Sequence, residues 1–163
     1  MDARVRGALV AVTRRLSDQG VPFALGGSGL LWAHGLTDTV RDLDLVTEAD
    51  AEGPLRQAVA EWVVDVSYEG TELWASRWIA RLDLDGVEVD AIGGMALRHP
   101  GGVAEVPARA ATRVTVDQVT VPVADPAMWW AVYRRYKPAK ASLLERIVDA
   151  EARERVLAEL GLD

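Results

Sequence analysis

The chain has no cysteine, one phenylalanine, two histidines and three methionines among its 163 residues. Without thiols it forms no disulfide and no thiolate-bound metal centre, so any metal must sit on oxygen or histidine ligands. The histidines themselves are isolated: His34 is expected to cap or pack at a helix end, and His99, beside Pro100, belongs to a loop. No apolar run approaches the ~20 residues of a membrane-spanning helix. The start, Met1-Asp2-Ala3-Arg4, leads into an amphipathic pattern and not an apolar signal core, so a cytoplasmic protein without a membrane partner is expected. Positive charge is also in deficit, with 18 Lys and Arg against 25 Asp and Glu and a net charge of -7. That balance argues against a broad electrostatic grip on nucleic acid, because such binding depends on neutralising phosphates. It leaves room for a local basic strip or for a metal that focuses the field on a small anion.

What is present is ordinary globular composition, half apolar and about a quarter charged. No repeat, low-complexity tract or linker interrupts it, so residues 1-163 read as one domain, with a sheet core over about 21-123 and C-terminal helices over about 125-160. Val5, Leu9, Val12 and Leu16 recur at helical spacing over 3-18, with Arg4, Arg6, Arg14 and Arg15 on a solvated face. A helix is expected over 48-61 and a strand over 62-68, followed by loose alternation over 72-84. Asp85-Gly86 is a two-residue hairpin signal whose second strand spans 86-92, and His99 to Gly102 reads as a loop. Short strands are expected around Asp117-Gln118, then a helix opened by Asp125-Pro126, and a last long helix over 139-160 ended by Gly161. The expected class is α/β (α+β), a small mixed sheet with helices packed mainly on one side.

The residues that carry chemistry lie between Val21 and Thr47. A short apolar strand, Val21 to Leu25, breaks at Gly26-Gly27-Ser28, and an apolar helix runs from Ser28 to His34. The chain then re-enters as a strand in which Asp42 and Asp44 alternate with Leu43 and Leu45. Side chains two apart on a strand point to one face, so the two carboxylates project together. Such a pair is repulsive unless compensated, and Mg2+ or Mn2+ is the economical compensator. The glycines let backbone amides approach a phosphate closely at a helix start. A metal-binding carboxylate pair beside a phosphate cradle describes a nucleoside triphosphate site.

Gly27-Ser28, a short helix and then Asp42-Leu43-Asp44 resemble the signature of the nucleotidyltransferase superfamily, the fold of DNA polymerase beta. Together with Ala33-His34-Gly35 and Arg41-Asp42-Leu43-Asp44-Leu45, they look most like minimal nucleotidyltransferases of the abortive-infection toxin and small antibiotic-resistance type. The resemblance implies a third carboxylate from a later strand. Asp90 is favoured for it over Glu88, which shares its face but sits nearer the turn. Asp42, Asp44 and Asp90 would then be both catalytic residues and metal ligands, holding Mg2+ or Mn2+. Gly26, Gly27, Ser28, Lys137 and Lys140 would bind the nucleotide, with Arg41 and Arg81 as further candidate phosphate contacts. The expected activity is transfer of a nucleoside monophosphate from an NTP, ATP by preference, to a hydroxyl of a small molecule, protein or RNA. The alternative is an inactive module of the same fold, binding nucleotide or acting as an antitoxin-like partner. Trp129, Tyr133 and Tyr136 share a helix face, where core packing is expected ahead of base stacking.

Overall fold

A computed structural model describes residues 1–162. Helix α1 (Ala3–Asp18) begins at Asp2, whose carboxylate accepts from the Val5 amide, and it buries the apolar stripe from Val5 to Leu16. Then come β1 (Ala24–Leu25), α2 (Gly27–Ala33) and β2 (Leu43–Thr47). Helix α3 (Glu52–Ala58) lies between two 3-10 turns, Ala49–Ala51 and Ala60–Trp62, so the single helix expected over 48-61 is three short pieces. Strands β3 (Val63–Ser67), β4 (Trp78–Leu84) and β5 (Val87–Gly93) follow. Hairpin β6 (Ala96–His99) and β7 (Gly102–Glu105) leads to β8 (Ala110–Val116) and β9 (Val119–Ala124). Helices α4 (Pro126–Tyr136), α5 (Pro138–Leu144) and α6 (Ala150–Leu160) complete the chain.

Seven strands form one sheet in the order β3-β4-β5-β2-β1-β9-β8. The β1–β9 and β2–β5 pairs are parallel and the other neighbours antiparallel. Positive φ at Asp85 and Gly86, and at Asp117 and Gln118, makes the tight turns of the β4–β5 and β8–β9 hairpins. Helices cover both faces and not mainly one. The alternation of the strands sends Leu43, Leu45, Leu82, Val89 and Ala91 to a core under α1 and α3. Val46, Val123 and Ala124 instead reach a second core with α2, α4, α5 and α6. Arg15, read from the sequence as a solvated arginine, donates to both carboxylate oxygens of Glu61 and to the Ala58 carbonyl, and lies over the Trp62 ring.

Two further expectations are corrected, and the loop expected over His99 to Gly102 is found as a tight turn. The alternation over 72-84 becomes strand only from Trp78, because Trp74 is drawn off to bridge Leu97 of β6. His99 to Gly102 is the turn joining β6 to β7, with the Gly101 amide donating to His99 Nδ1. The long last helix is two: α5 ends as the Ile147 and Val148 amides close onto the Leu144 carbonyl, and Asp149 starts α6 by accepting from the Ala152 amide. Asp149 is a side-chain N-cap within the expected helix, and capping residues start helices.

Candidate active site

The site is set by the passage from β1 into α2 and back along β2. The Gly26 amide donates to the Asp44 carbonyl at 2.8 Å, tying the turn to the strand. Gly27 has φ +57, and a Cβ there would overlap the Asp44 carboxylate, so only glycine admits this approach. A Cβ on Gly26 would enter the Trp129 ring. Helix α2 therefore starts directly against the carboxylate.

Asp42 is exposed just ahead of β2, and Asp44 is half-buried within it, while Leu43 and Leu45 are packed on the opposite face. The parallel pairing of β2 with β5 puts Asp44 beside Asp90. On the far side of Asp90, the antiparallel register of β4 presents Arg81, and β3 adds Asp65 beyond it. One row thus runs Asp44, Asp90, Arg81, Asp65 across four strands. Glu88 is exposed and pairs with Asp83 toward the turn, out of register with Asp44. Arg81 Nε stands 3.9 Å from Asp90 Oδ1 and 4.0 Å from Glu88 Oε1. Asp90 Oδ1 is buried without a hydrogen-bond partner.

The electrostatics follow from this crowding. Burial, reinforced by Asp42 and Asp90, pushes the Asp44 carboxyl up to about 7 against the pull of Lys137 and Lys140. Burial, with Glu88 adding, also raises Asp90, and Arg81 opposes it. Helices α4 and α5 supply the opposite charge. Lys140 Nζ donates to Ser28 Oγ at 2.7 Å and lies over the Tyr133 ring, while Lys137 lies over the Tyr136 ring. Burial beside Lys137 lowers Lys140, with Asp44 and Asp42 opposing. Pro138 marks the joint between α4 and α5 that brings both lysines to this side.

Asp42, Asp44 and Asp90 could hold a divalent cation, but they are not yet gathered around one. Among the described residues no three histidine or acidic side chains lie close enough together to form a metal-binding group. The chemistry of the donors still fits a hard cation: three carboxylates share one side of the sheet, one has an orphaned buried oxygen, and another retains its proton to near neutrality. Arg41 is exposed beside Asp42, and Arg81 faces Asp90. His34 caps the end of α2, and burial lowers its imidazole. Trp129 and Tyr133 are buried in the second core and meet as tilted rings in a row continued by Tyr136, so core packing describes most of that face.

Sequence reasoning missed one feature. A cavity of about 190 Å³ opens beside the carboxylates, lined by Asp44, Asp90, Trp74, Ser76, Trp129 and Tyr136 over Ile79 and Ile92. Trp74 meets Tyr136 edge to face, with centroids 5.1 Å apart. No local pattern flags Trp74, which is brought to the site by its bridge to β6.

The architecture is the nucleotidyltransferase fold. A candidate nucleotidyltransferase from Thermotoga maritima superposes with a TM-score of 0.69 at 20% identity, over 86% of this chain and 89% of that one. The crystal structure of ANT(2")-Ia in complex with adenylyl-2"-tobramycin gives 0.64 at 15% identity, over 96% of both chains. The solution structure of the antibiotic-resistance factor ANT(2'')-Ia gives 0.65 at 16%, over 97% of this chain and 91% of that one. No family model and no curated protein sequence matches the chain.

Proposed function

We propose that this protein is a metal-dependent nucleotidyltransferase, moving a nucleoside monophosphate from an NTP, ATP by preference, to an acceptor hydroxyl. The observation that carries this reading is the register of Asp44 against Asp90, with Asp42 adjoining and the Ser28–Lys140 contact beside them. Asp42, Asp44 and Asp90 would hold Mg2+ or Mn2+, which when bound supplies charge neutralisation at the transferred phosphoryl group. The first-turn amides of α2, which by position lack intrahelical acceptors, and Ser28 would orient the phosphates, with Lys140 and Lys137 balancing their charge. Asp90 would receive the acceptor's proton, since its orphaned Oδ1 and raised proton affinity suit a base in this position. The adenylylated tobramycin of ANT(2")-Ia supports a nucleotide and a small-molecule acceptor as partners.

A second reading, a nucleotide-binding module without transfer activity, draws support from the ungathered carboxylates and the proximity of Arg81 to Asp90. Calorimetric titration with α,β-methylene-ATP, with and without Mg2+, tests the nucleotide site that both readings require. Wild type is expected to bind only with metal, and Asp44→Asn to lose that metal-dependent binding while remaining folded. Transfer from α-labelled ATP by wild type and not by Asp44→Asn would then exclude the inert module. Undiminished turnover in the variant would sink the assignment.

A further inference from the structure

We infer that the aromatic cavity beside Asp44 and Asp90 is the acceptor subsite, and that it takes one six-membered ring carrying the attacking hydroxyl. The inference rests on the nucleotidyltransferase reading and specifies its substrate. Gly27, Ser28 and Lys140 crowd one side of the carboxylate. The cavity opens from Asp44 toward Asp90, with Trp74, Trp129 and Tyr136 as walls.

A nucleotide whose α-phosphate lies at the carboxylates has its base held away from them by the ribose. A group packed directly against Asp44 and Asp90 is therefore the one that bears the reacting oxygen. In the step itself, the ring hydroxyl gives its proton to Asp90 while its oxygen bonds to the α-phosphorus. The bond from that phosphorus to the bridging oxygen breaks, and pyrophosphate leaves with the electron pair. The ring ends as a phosphodiester with the nucleoside.

Size and charge narrow the acceptor. About 190 Å³ accommodates a single ring, and any further linked ring would lie outside the cavity. Aromatic side chains and the apolar Ile79 and Ile92 favour a ring that offers an apolar face for stacking. The lining contains two carboxylates and no lysine or arginine, so the phosphates of an RNA end would be repelled there. Neutral or cationic rings suit the same walls.

Trp74 is the residue that makes the subsite, and hydrogen bonds fix the turn that carries it. Thr71 Oγ1 accepts from the Leu73 and Trp74 amides, and the Thr71 amide donates to the Trp74 carbonyl. Arg98 clamps the same turn through the Thr71 and Leu73 carbonyls. Among the strands outside the seven-stranded sheet, the β6–β7 hairpin thus anchors one wall of the cavity.

Two ring chemistries share this description, and the test separates them. Saturation-transfer NMR would follow 4-methylphenol and methyl α-D-glucopyranoside with protein, Mg2+ and α,β-methylene-ATP. Transfer to each would be followed with α-labelled ATP. At least one ring is expected to bind and accept label. Trp74→Ala should weaken the ring about tenfold, as the loss of one stacking partner and its buried area implies. Nucleotide affinity should stay unchanged, and Trp74→Phe should restore ring binding. The inference is overturned if metal-dependent nucleotide binding is intact but neither ring binds, or if Trp74→Ala leaves ring binding unaltered. A fall in nucleotide affinity in Trp74→Ala would give the cavity to the base and overturn it equally. Absence of nucleotide binding in wild type would instead bring down the parent reading, and this one with it.

Discussion

A missing Cβ decides how near the turn into α2 can come to a carboxylate. Gly27 combines a left-handed backbone with direct contact to Asp44, whereas Gly35 has the same backbone sign, at φ +69, and open space around its Cβ position. The two glycines therefore separate strain from site geometry. Alanine at either position pays the left-handed penalty of about 1–2 kcal/mol. Gly27→Ala must in addition displace the Asp44 carboxylate. Thermal unfolding is expected to show both variants destabilised, with Gly27→Ala the worse by several degrees. Titration with α,β-methylene-ATP and Mg2+ should show binding lost in Gly27→Ala and kept in Gly35→Ala. Equal nucleotide affinity in the two would mean that the close approach has no part in binding.

At the scale of elements, the joint between α5 and α6 is the sharpest departure from what the sequence suggests. Asp149→Ala removes the acceptor for the Ala152 amide, a cap worth about 1 kcal/mol. Helix α6 packs Val156 and Leu160 into the second core and supplies no residue to the cavity. The variant should therefore unfold at lower urea with nucleotide affinity unaltered, and a matching loss of affinity would tie α6 to the site. Much of the sheet around the carboxylates was legible in advance. Period-two alternation placed Asp42 with Asp44, and the same alternation after the Asp85-Gly86 turn put Asp90 on the face opposite Val87, Val89 and Ala91. Those are local signals, and local signals survive folding when a strand is buried on one face. What was not legible depends on partners distant in sequence. Trp74 needs β6 to draw it to the cavity, Arg15 needs Glu61, and the second layer of helices needs the β9 residues that face it. The split at Asp149 did carry a signal, a capping residue, but helical periodicity on both sides concealed it.

For the whole molecule, the charge gathered at one end of β2 couples stability to pH. The Asp44 carboxyl is held at about 7 against an ordinary 3.8. Between those values the folded protein keeps a proton that the unfolded chain has released, so stability falls as pH rises through the window. The fall is at most about 4 kcal/mol. Urea unfolding of metal-free wild type should trace it, and Asp44→Asn should flatten it. Saturating Mg2+ should recover stability at the upper end in wild type alone, by binding the folded carboxylates. A flat metal-free profile would mean that Asp44 ionises freely. The Ser28–Lys140 bond spans 112 residues of sequence and gives this balance a direction in time. During synthesis all three carboxylates leave the ribosome before either lysine. A nascent chain thus carries its repulsion well before the cations that temper it, and the site can close only once α5 has emerged to dock.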